Sequence, residues 1–100
     1  MKAVFISFYE AFYDEVLEVL DRHGVNGFTS WPTVYGRGSE TGEPHYGTHA
    51  WPTTNAAVLA FMDDAKVAPL LKSLHELDLS AEQQGLRAFV LQAEEMTDRM

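Results

Sequence analysis

The amino-acid sequence predicts an α+β fold of the ferredoxin-like type, with the element order β-α-β-β-α-β. Two segments repeat apolar residues at the spacing i, i+3, i+4, i+7 of an amphipathic helix. Four short segments are instead rich in the β-branched and aromatic residues that favour strands. A chain of 100 residues, 46% of them hydrophobic, suits one domain spanning residues 1–100. We expect that domain to end in a frayed tail at 96–100.

The first predicted elements are a strand and a helix. Residues 2–9 alternate two partly apolar sets, which indicates a strand covered on both faces. Residues 11–23 carry the helical stripe, and Gly24 stands where a helix commonly ends. The stripe consists of Tyr13, Val16, Leu17 and Leu20.

A second strand is predicted between residues 25 and 35, and a third over the apolar run 55–62. Pro32 cannot donate a hydrogen bond to a neighbouring strand, so we expect a bulge or an edge position near Trp31.

The second helix has two possible starts. Asp63 or Asp64 can cap it, but Pro69 would then remove an interior hydrogen bond, so it begins nearer Val67 or kinks. A polar loop over 77–84 and a fourth strand over 85–92 complete the order.

The predicted fold packs both helices on one face of the sheet and leaves the other face open. The two apolar sets of the first strand suggest that this open face meets another subunit.

Composition excludes several classes of protein. The formal net charge is −8, from 15 acidic and 7 basic residues, and this charge repels nucleic acid. The absence of cysteine excludes disulfides, thiolate metal sites and cysteine catalysis. Because no run of 18 apolar residues and no cleavable leader is evident, we expect a soluble, cytoplasmic protein that is not embedded in a membrane.

Four motifs mark the end of the first helix, the start of the long loop, the end of the third strand and the fourth strand. They are Gly24-Val25-Asn26-Gly27-Phe28-Thr29, Gly36-Arg37-Gly38, Met62-Asp63-Asp64 and Phe89-Val90-Leu91. In these motifs, over about residues 1 to 95, the chain resembles the P-II (PII) signalling superfamily, which includes the nitrogen regulatory P-II proteins and the CutA-like trimers.

The resemblance implies a homotrimeric regulatory or sensor protein rather than an enzyme. Its subunits would signal to a target protein through a long loop, the T-loop, which corresponds to 36–54 here. Family members bind adenine nucleotides and a metabolite between subunits, and divergent members are linked to heavy-metal efflux or bicarbonate handling. The implied target is therefore a membrane transporter or an efflux pump.

One segment departs from the family pattern. Nitrogen regulatory members grip phosphates with a loop rich in lysine and glycine before the last strand. The corresponding residues 77–84 contain no lysine and two acids, Asp78 and Glu82. Because acids repel phosphate, the sequence argues against adenine-nucleotide binding.

The first candidate site is Gly36-Arg37-Gly38. Two glycines permit close backbone approach, and an arginine between them supplies a charged donor, so these residues could bind an anion or cofactor. The alternative is a turn with a solvated arginine.

The second candidate site is a metal site formed by Glu43, His45 and His49. The two histidines are four residues apart, which brings them to one face of either a strand or a helix. Imidazole and carboxylate ligands suit a divalent transition metal such as Zn, Cu or Ni. The alternative is a set of polar side chains in an exposed loop.

The tripeptide Trp-Pro-Thr occurs twice, at 31–33 and 51–53, with Thr41-Gly42 midway. If the chain folds back at Thr41-Gly42, the two tripeptides lie opposite each other. This interpretation predicts an extended, T-loop-like β-ribbon between strands 2 and 3. Coincidence, with each tryptophan packed separately, is the other interpretation.

A second functional hypothesis is enzymatic. Ferredoxin-like chains of this length also form small dimeric oxygenases and isomerases, with a pocket between the helices and the sheet. Tyr13, His23 or His75 would then be the acid or base.

Overall fold

A computed structural model of the chain describes residues 1–36, 54–81 and 85–97. These residues form a four-stranded antiparallel sheet with two α-helices. Short 3-10 turns, Glu10–Phe12 and Asp64–Lys66, lead into the helices. The elements are β1 (Lys2–Tyr9), α1 (Tyr13–Arg22), β2 (Phe28–Val34), β3 (Asn55–Met62), α2 (Val67–Leu79) and β4 (Arg87–Gln92). The predicted ferredoxin-like α+β fold is confirmed, whereas the predicted ribbon lies outside the described residues.

The strands lie in the order β2-β3-β1-β4, so β1 is central and β2 and β4 are the edges. The register fixes which side chains share a face. Phe5 lies opposite Leu59 on one side and Phe89 on the other. Because side chains alternate along each strand, these three residues project from the same face of the sheet.

The core lies between the other face of the sheet and the two helices. Its β1 members are Val4, Ile6 and Phe8, all with no exposed surface. The helices contribute apolar side chains from their inner faces: Val16, Val19 and Leu20 from α1, and Leu70 and Leu74 from α2.

The face without helices, called the open face below, carries large exposed apolar side chains. Phe89 is 58% exposed and Leu91 54%. The other large apolar members, defined by their register with these, are Phe5, Trp31, Leu59 and Phe61. An exposed apolar surface of this kind is typical of an interaction face.

The proline in β2 has the effect predicted from sequence. β2 is an edge strand, and its register with β3 shifts by one residue between Trp31 and Val34. Pro32 lies inside that bulge, where its missing N–H interrupts no regular ladder.

Helix α2 begins at one of its two predicted starts and ends later than predicted. It begins at Val67, so Pro69 falls in the first turn, where an amide hydrogen bond is not required. The other predicted start, with Asp63 or Asp64 as the cap of the helix, is wrong. Asp63 makes no side-chain capping hydrogen bond, and Asp64 lies in the 3-10 turn before the helix. The helix then continues to Leu79, through part of the predicted loop, because Leu77 still packs against the core.

The end of α1 is hydrogen-bonded to the 3-10 turn that precedes α2. Gly24 has φ of +68°, the left-handed conformation that ends many helices, and its carbonyl accepts a hydrogen bond from Lys66 Nζ at 2.6 Å. Within the described ranges, no helix is long and apolar enough to cross a membrane.

Candidate functional site: the base of the 37–53 segment

The pairing of β2 with β3 brings together the two ends of the segment 37–53. Val34, near the end of β2, lies opposite Asn55, the first residue of β3. Gly36 and Thr54 are therefore the described residues that flank the segment. We call this region the segment base, defined by Thr33, Gly36, Thr54, Asn55 and their contacts.

Glu10 holds both sides of the segment base. Its backbone N–H donates to the carbonyl of Thr54 at 3.1 Å. Its carboxylate Oε2 accepts from the Thr33 hydroxyl at 3.3 Å. One residue, placed directly after β1, thus contacts the chain on both sides of the segment.

Asn55 is the innermost polar residue of the segment base, with 2% of its surface exposed. Its amide Nδ2 donates to Ser7 Oγ on the neighbouring strand β1 at 3.3 Å. Gly36 packs closely on the same amide: a Cβ added at Gly36 would lie 2.7 Å from Asn55 Nδ2. Only glycine fits there without a shift of the asparagine.

A cationic side chain lies in the same row of the sheet. Arg87 is the register partner of Ser7 on the edge strand β4. Its Nη1 donates to the carbonyl of Leu86 at 2.7 Å and lies 3.6 Å from Asp78 Oδ2. Asp78 Oδ1 also accepts from the Leu86 N–H at 2.9 Å. The carboxylate of Asp78 is therefore paired rather than free.

Of the two predicted sites, the described residues include one member of the first and no member of the second. Gly36 belongs to the segment base, whereas Arg37 and Gly38 lie outside the described residues. The predicted metal ligands, Glu43, His45 and His49, also lie outside them.

The acid and base residues of the enzymatic hypothesis are not brought together. Tyr13 and His23 stand at opposite ends of α1, about 15 Å apart at the helical rise. The Tyr13 hydroxyl is hydrogen-bonded to Ser30 and the His23 ring to Ser73, each at 2.7 Å. His75 lies on α2, in an open cleft against β4.

Sequence reasoning missed Ser7, Glu10, Asn55 and Arg87 at this region. Two of them carried a signal, because Ser7 interrupts an apolar strand and Asn55 opens an apolar run. Each is a polar residue at a position that strand alternation assigns to a sheet face. Their contact joins positions 48 residues apart, so it depends on the sheet register.

The described part of the segment base offers amide, hydroxyl and backbone groups together with the Glu10 carboxylate, which already accepts from Thr33. Arg87 lies in the row of Ser7, with its guanidinium on Asp78 and the Leu86 carbonyl. Amide, hydroxyl and backbone groups of this kind suit an anion or a polar small molecule. Within residues 1–36, 54–81 and 85–97, no three His, Asp or Glu side chains are grouped to hold a metal ion.

No protein-family model matches the chain, and no curated protein is significantly similar to it. Solved structures are similar over most of its length. CPII, a nitrogen regulatory PII-like protein from Thiomonas intermedia K12 bound to ADP, AMP and bicarbonate, aligns with a TM-score of 0.69 and 21% identity. The match covers 92% of this chain and 86% of CPII.

Two further structures agree. CPII bound to ADP and bicarbonate aligns with a TM-score of 0.67 and 23% identity, over 92% of this chain and 86% of that one. A protein from Thermus thermophilus, assigned to the PII-like signalling proteins, aligns with a TM-score of 0.66 and 19% identity, over 90% of this chain and 83% of that one.

These similarities correct the cofactor expectation. The sequence offered a divalent transition metal as a candidate ligand and argued against adenine nucleotides, but the similar structures hold ADP, AMP and bicarbonate. The sequence argument treated Asp78 as a free acid, whereas its carboxylate pairs with Arg87 and accepts from the Leu86 N–H. Glu82, the second acid in that argument, lies outside the described residues.

The sheet order, the two helices and the aligned length all agree with the resemblance drawn from the sequence motifs. The chain therefore has the fold of the PII-like signalling proteins, in a divergent sequence.

Proposed function

We propose that this chain is a homotrimeric regulatory protein of the PII-like type, acting in the cytoplasm. It binds an adenine nucleotide together with a small anion such as bicarbonate at the segment base. The ligand state is passed to a partner protein, a membrane transporter being the class we favour, through residues 36–54.

The observation that carries the proposal is the division of the open face. Phe5, Phe61, Phe89 and Leu91 make one part of it apolar and exposed, which suits burial between subunits. The other part, next to the segment base, contains the half-buried Ser7 and the buried amide of Asn55, with Trp31 exposed beside them. A subunit interface and a polar ligand region would thus adjoin on one surface.

Support for the ligand class comes from charge and from the similar structures. CPII holds ADP, AMP and bicarbonate in the same fold. Arg87 lies in the row of Ser7, and Arg37 follows Gly36 in the chain. Guanidinium groups and backbone N–H groups at glycines are the usual donors to phosphate and carboxylate oxygens. We propose Gly36, Arg37 and Gly38 as ligand-binding residues on this basis.

Isothermal titration calorimetry with ADP and AMP, each with and without sodium bicarbonate, tests the ligand half of the proposal. We expect saturable binding of a nucleotide by the wild-type chain. The substitution Arg37→Ala should weaken the affinity for the nucleotide roughly 10- to 100-fold, because a hydrogen bond to a charged group is lost. Arg22→Ala, an exposed arginine at the end of α1, is the matched control and should bind as the wild type does.

Two outcomes count against the proposal. Absence of saturable binding for ADP, AMP and bicarbonate alike would remove the ligand class. Tight nucleotide binding that Arg37→Ala leaves unchanged would remove Gly36-Arg37-Gly38 from the ligand site.

A further inference from the structure

We infer that Asn55 is a positioning residue: its buried amide, hydrogen-bonded to Ser7, fixes where the chain leaves β2 at Gly36. Asn55 would thus set the position of the chain at the segment base. The importance of that position for signalling rests on the function proposed above. Ser7, Gly36 and Asn55 are called the amide latch below.

The first step of the argument is burial. Asn55 is 2% exposed, and its Nδ2 donates to Ser7 Oγ at 3.3 Å. A buried amide is costly to move away from its hydrogen-bond partners. Asn55 is also held by its backbone, because it pairs with Tyr9 of β1 and Val34 of β2. The amide is therefore a fixed point rather than a mobile side-chain end.

The second step is the contact with Gly36. A Cβ at Gly36 would lie 2.7 Å from Asn55 Nδ2, closer than carbon and nitrogen atoms pack. The same Cβ would lie 3.8 Å from Asn55 Cβ, which is an ordinary contact distance. The conflict thus involves the amide group alone, and alanine at both positions would fit.

The third step is the position of the bulge. The register of β2 against β3 shifts between Trp31 and Val34, directly before Gly36. A bulge redirects the strand that contains it. The path of the chain after the bulge must then be set by contacts at its far side, where Asn55 meets Gly36.

Trypsin provides a direct test, because Arg37 is the only lysine or arginine between residues 37 and 53. Cleavage after Arg37 therefore reports on the chain next to Gly36. Cleavage after Lys72, in the middle of α2, reports on unfolding of the whole domain. The rate at Arg37 divided by the rate at Lys72, measured by intact mass spectrometry of the full chain, separates the local effect from global destabilisation.

We expect Gly36→Ala to raise this ratio roughly two- to tenfold, the range that corresponds to the loss of one hydrogen bond. Gly27→Ala is the matched control. A Cβ there has Phe61 O as its nearest neighbour at 3.7 Å, so the ratio should stay at the wild-type value.

The double variant makes the test specific for the amide. Asn55→Ala alone should raise the ratio, and adding Gly36→Ala should raise it no further, because the clashing amide is already gone. If Asn55→Ala prevents folding, Ser7→Ala removes the hydroxyl that accepts from Asn55 Nδ2 and should raise the ratio by a smaller factor.

A ratio for Gly36→Ala that matches that of Gly27→Ala would overturn the inference. The inference would also be overturned if the double variant raised the cleavage ratio by the product of the two single-variant factors. The cleavage assay contains no nucleotide, so its result does not depend on whether the chain binds ADP. Failure of the inference and failure of the proposed function can therefore be told apart.

Discussion

At the scale of single residues, the polar side chains of this chain act mainly by holding distant backbone segments. Glu10 contacts both sides of the segment base through Thr33 and Thr54. Asp78, on α2, holds the start of β4 by accepting from the Leu86 N–H. Sequence charge counts treat such groups as solvated acids, and only the folded chain reveals their partners.

The role of Asp78 can be measured through stability. Asp78→Ala leaves the Leu86 N–H without its acceptor and Arg87 without its carboxylate. We expect the free energy of unfolding to fall by about 1–2 kcal/mol, mostly from the amide hydrogen bond, because Arg87 is half exposed and its ion pair is screened.

Urea denaturation followed by circular dichroism checks this value, with Glu76→Ala as the matched control. Glu76 is an exposed acid on the same helix, so its removal should change the free energy of unfolding by less than about 0.5 kcal/mol. Equal effects of the two substitutions would contradict a structural role for the Asp78 carboxylate.

At the scale of elements, chain direction is controlled at a few junctions. The bulge around Pro32 and the amide latch set the end of β2, and Gly24 ends α1 with φ of +68°. The backbone N–H of Val25 then donates to the carbonyl of Leu20 at 2.9 Å, which closes the helix end. These junctions orient the elements that form the segment base and the open face.

Gly24 provides a second stability prediction. An alanine there must adopt the left-handed conformation, and its Cβ would lie 3.3 Å from Lys66 Nζ. We expect Gly24→Ala to lower the free energy of unfolding by about 1–2 kcal/mol. Gly27→Ala, in ordinary conformation, should cost less than about 0.5 kcal/mol.

The measurement is again urea denaturation, with the hydrogen-exchange protection of α1 as a second observable. A stability loss for Gly24→Ala no larger than that for Gly27→Ala would show that the left-handed turn does not hold the end of α1.

Sequence periodicity was sufficient for the order of elements, because the helical stripe and the third strand at 55–62 are local patterns. It placed the end of α2 too early, since the polar residues after Leu77 looked like a loop although the leucine still reaches the core. Local patterns carry no information on which later segment a helix end will contact.

At the scale of the whole molecule, one face of the sheet packs on the two helices and the other carries exposed apolar side chains. Both apolar sets of β1 look alike in the sequence, and only the pairing with β3 and β4 assigns Val4, Ile6 and Phe8 to the helices. The candidate site is still less accessible to sequence reasoning, because Ser7 and Asn55 are 48 residues apart and meet through the sheet register. Predicted ligands within 37–53 lie outside the described residues.

The open face leads to the central claim, which is assembly into a homotrimer. Phe89, 58% exposed on the edge strand β4, would be buried between subunits, so a charge there should prevent assembly. Leu79 is 71% exposed at the end of α2, away from the open face, and serves as the matched control.

The molar mass in solution, measured by multi-angle light scattering, tests that claim most directly. We predict three times the chain mass of 11.2 kDa for the wild type and for Leu79→Asp, and a smaller species for Phe89→Asp. A wild-type mass of one or two chains, the latter expected for a dimeric enzyme, would contradict the account, as would a trimer that Phe89→Asp leaves intact.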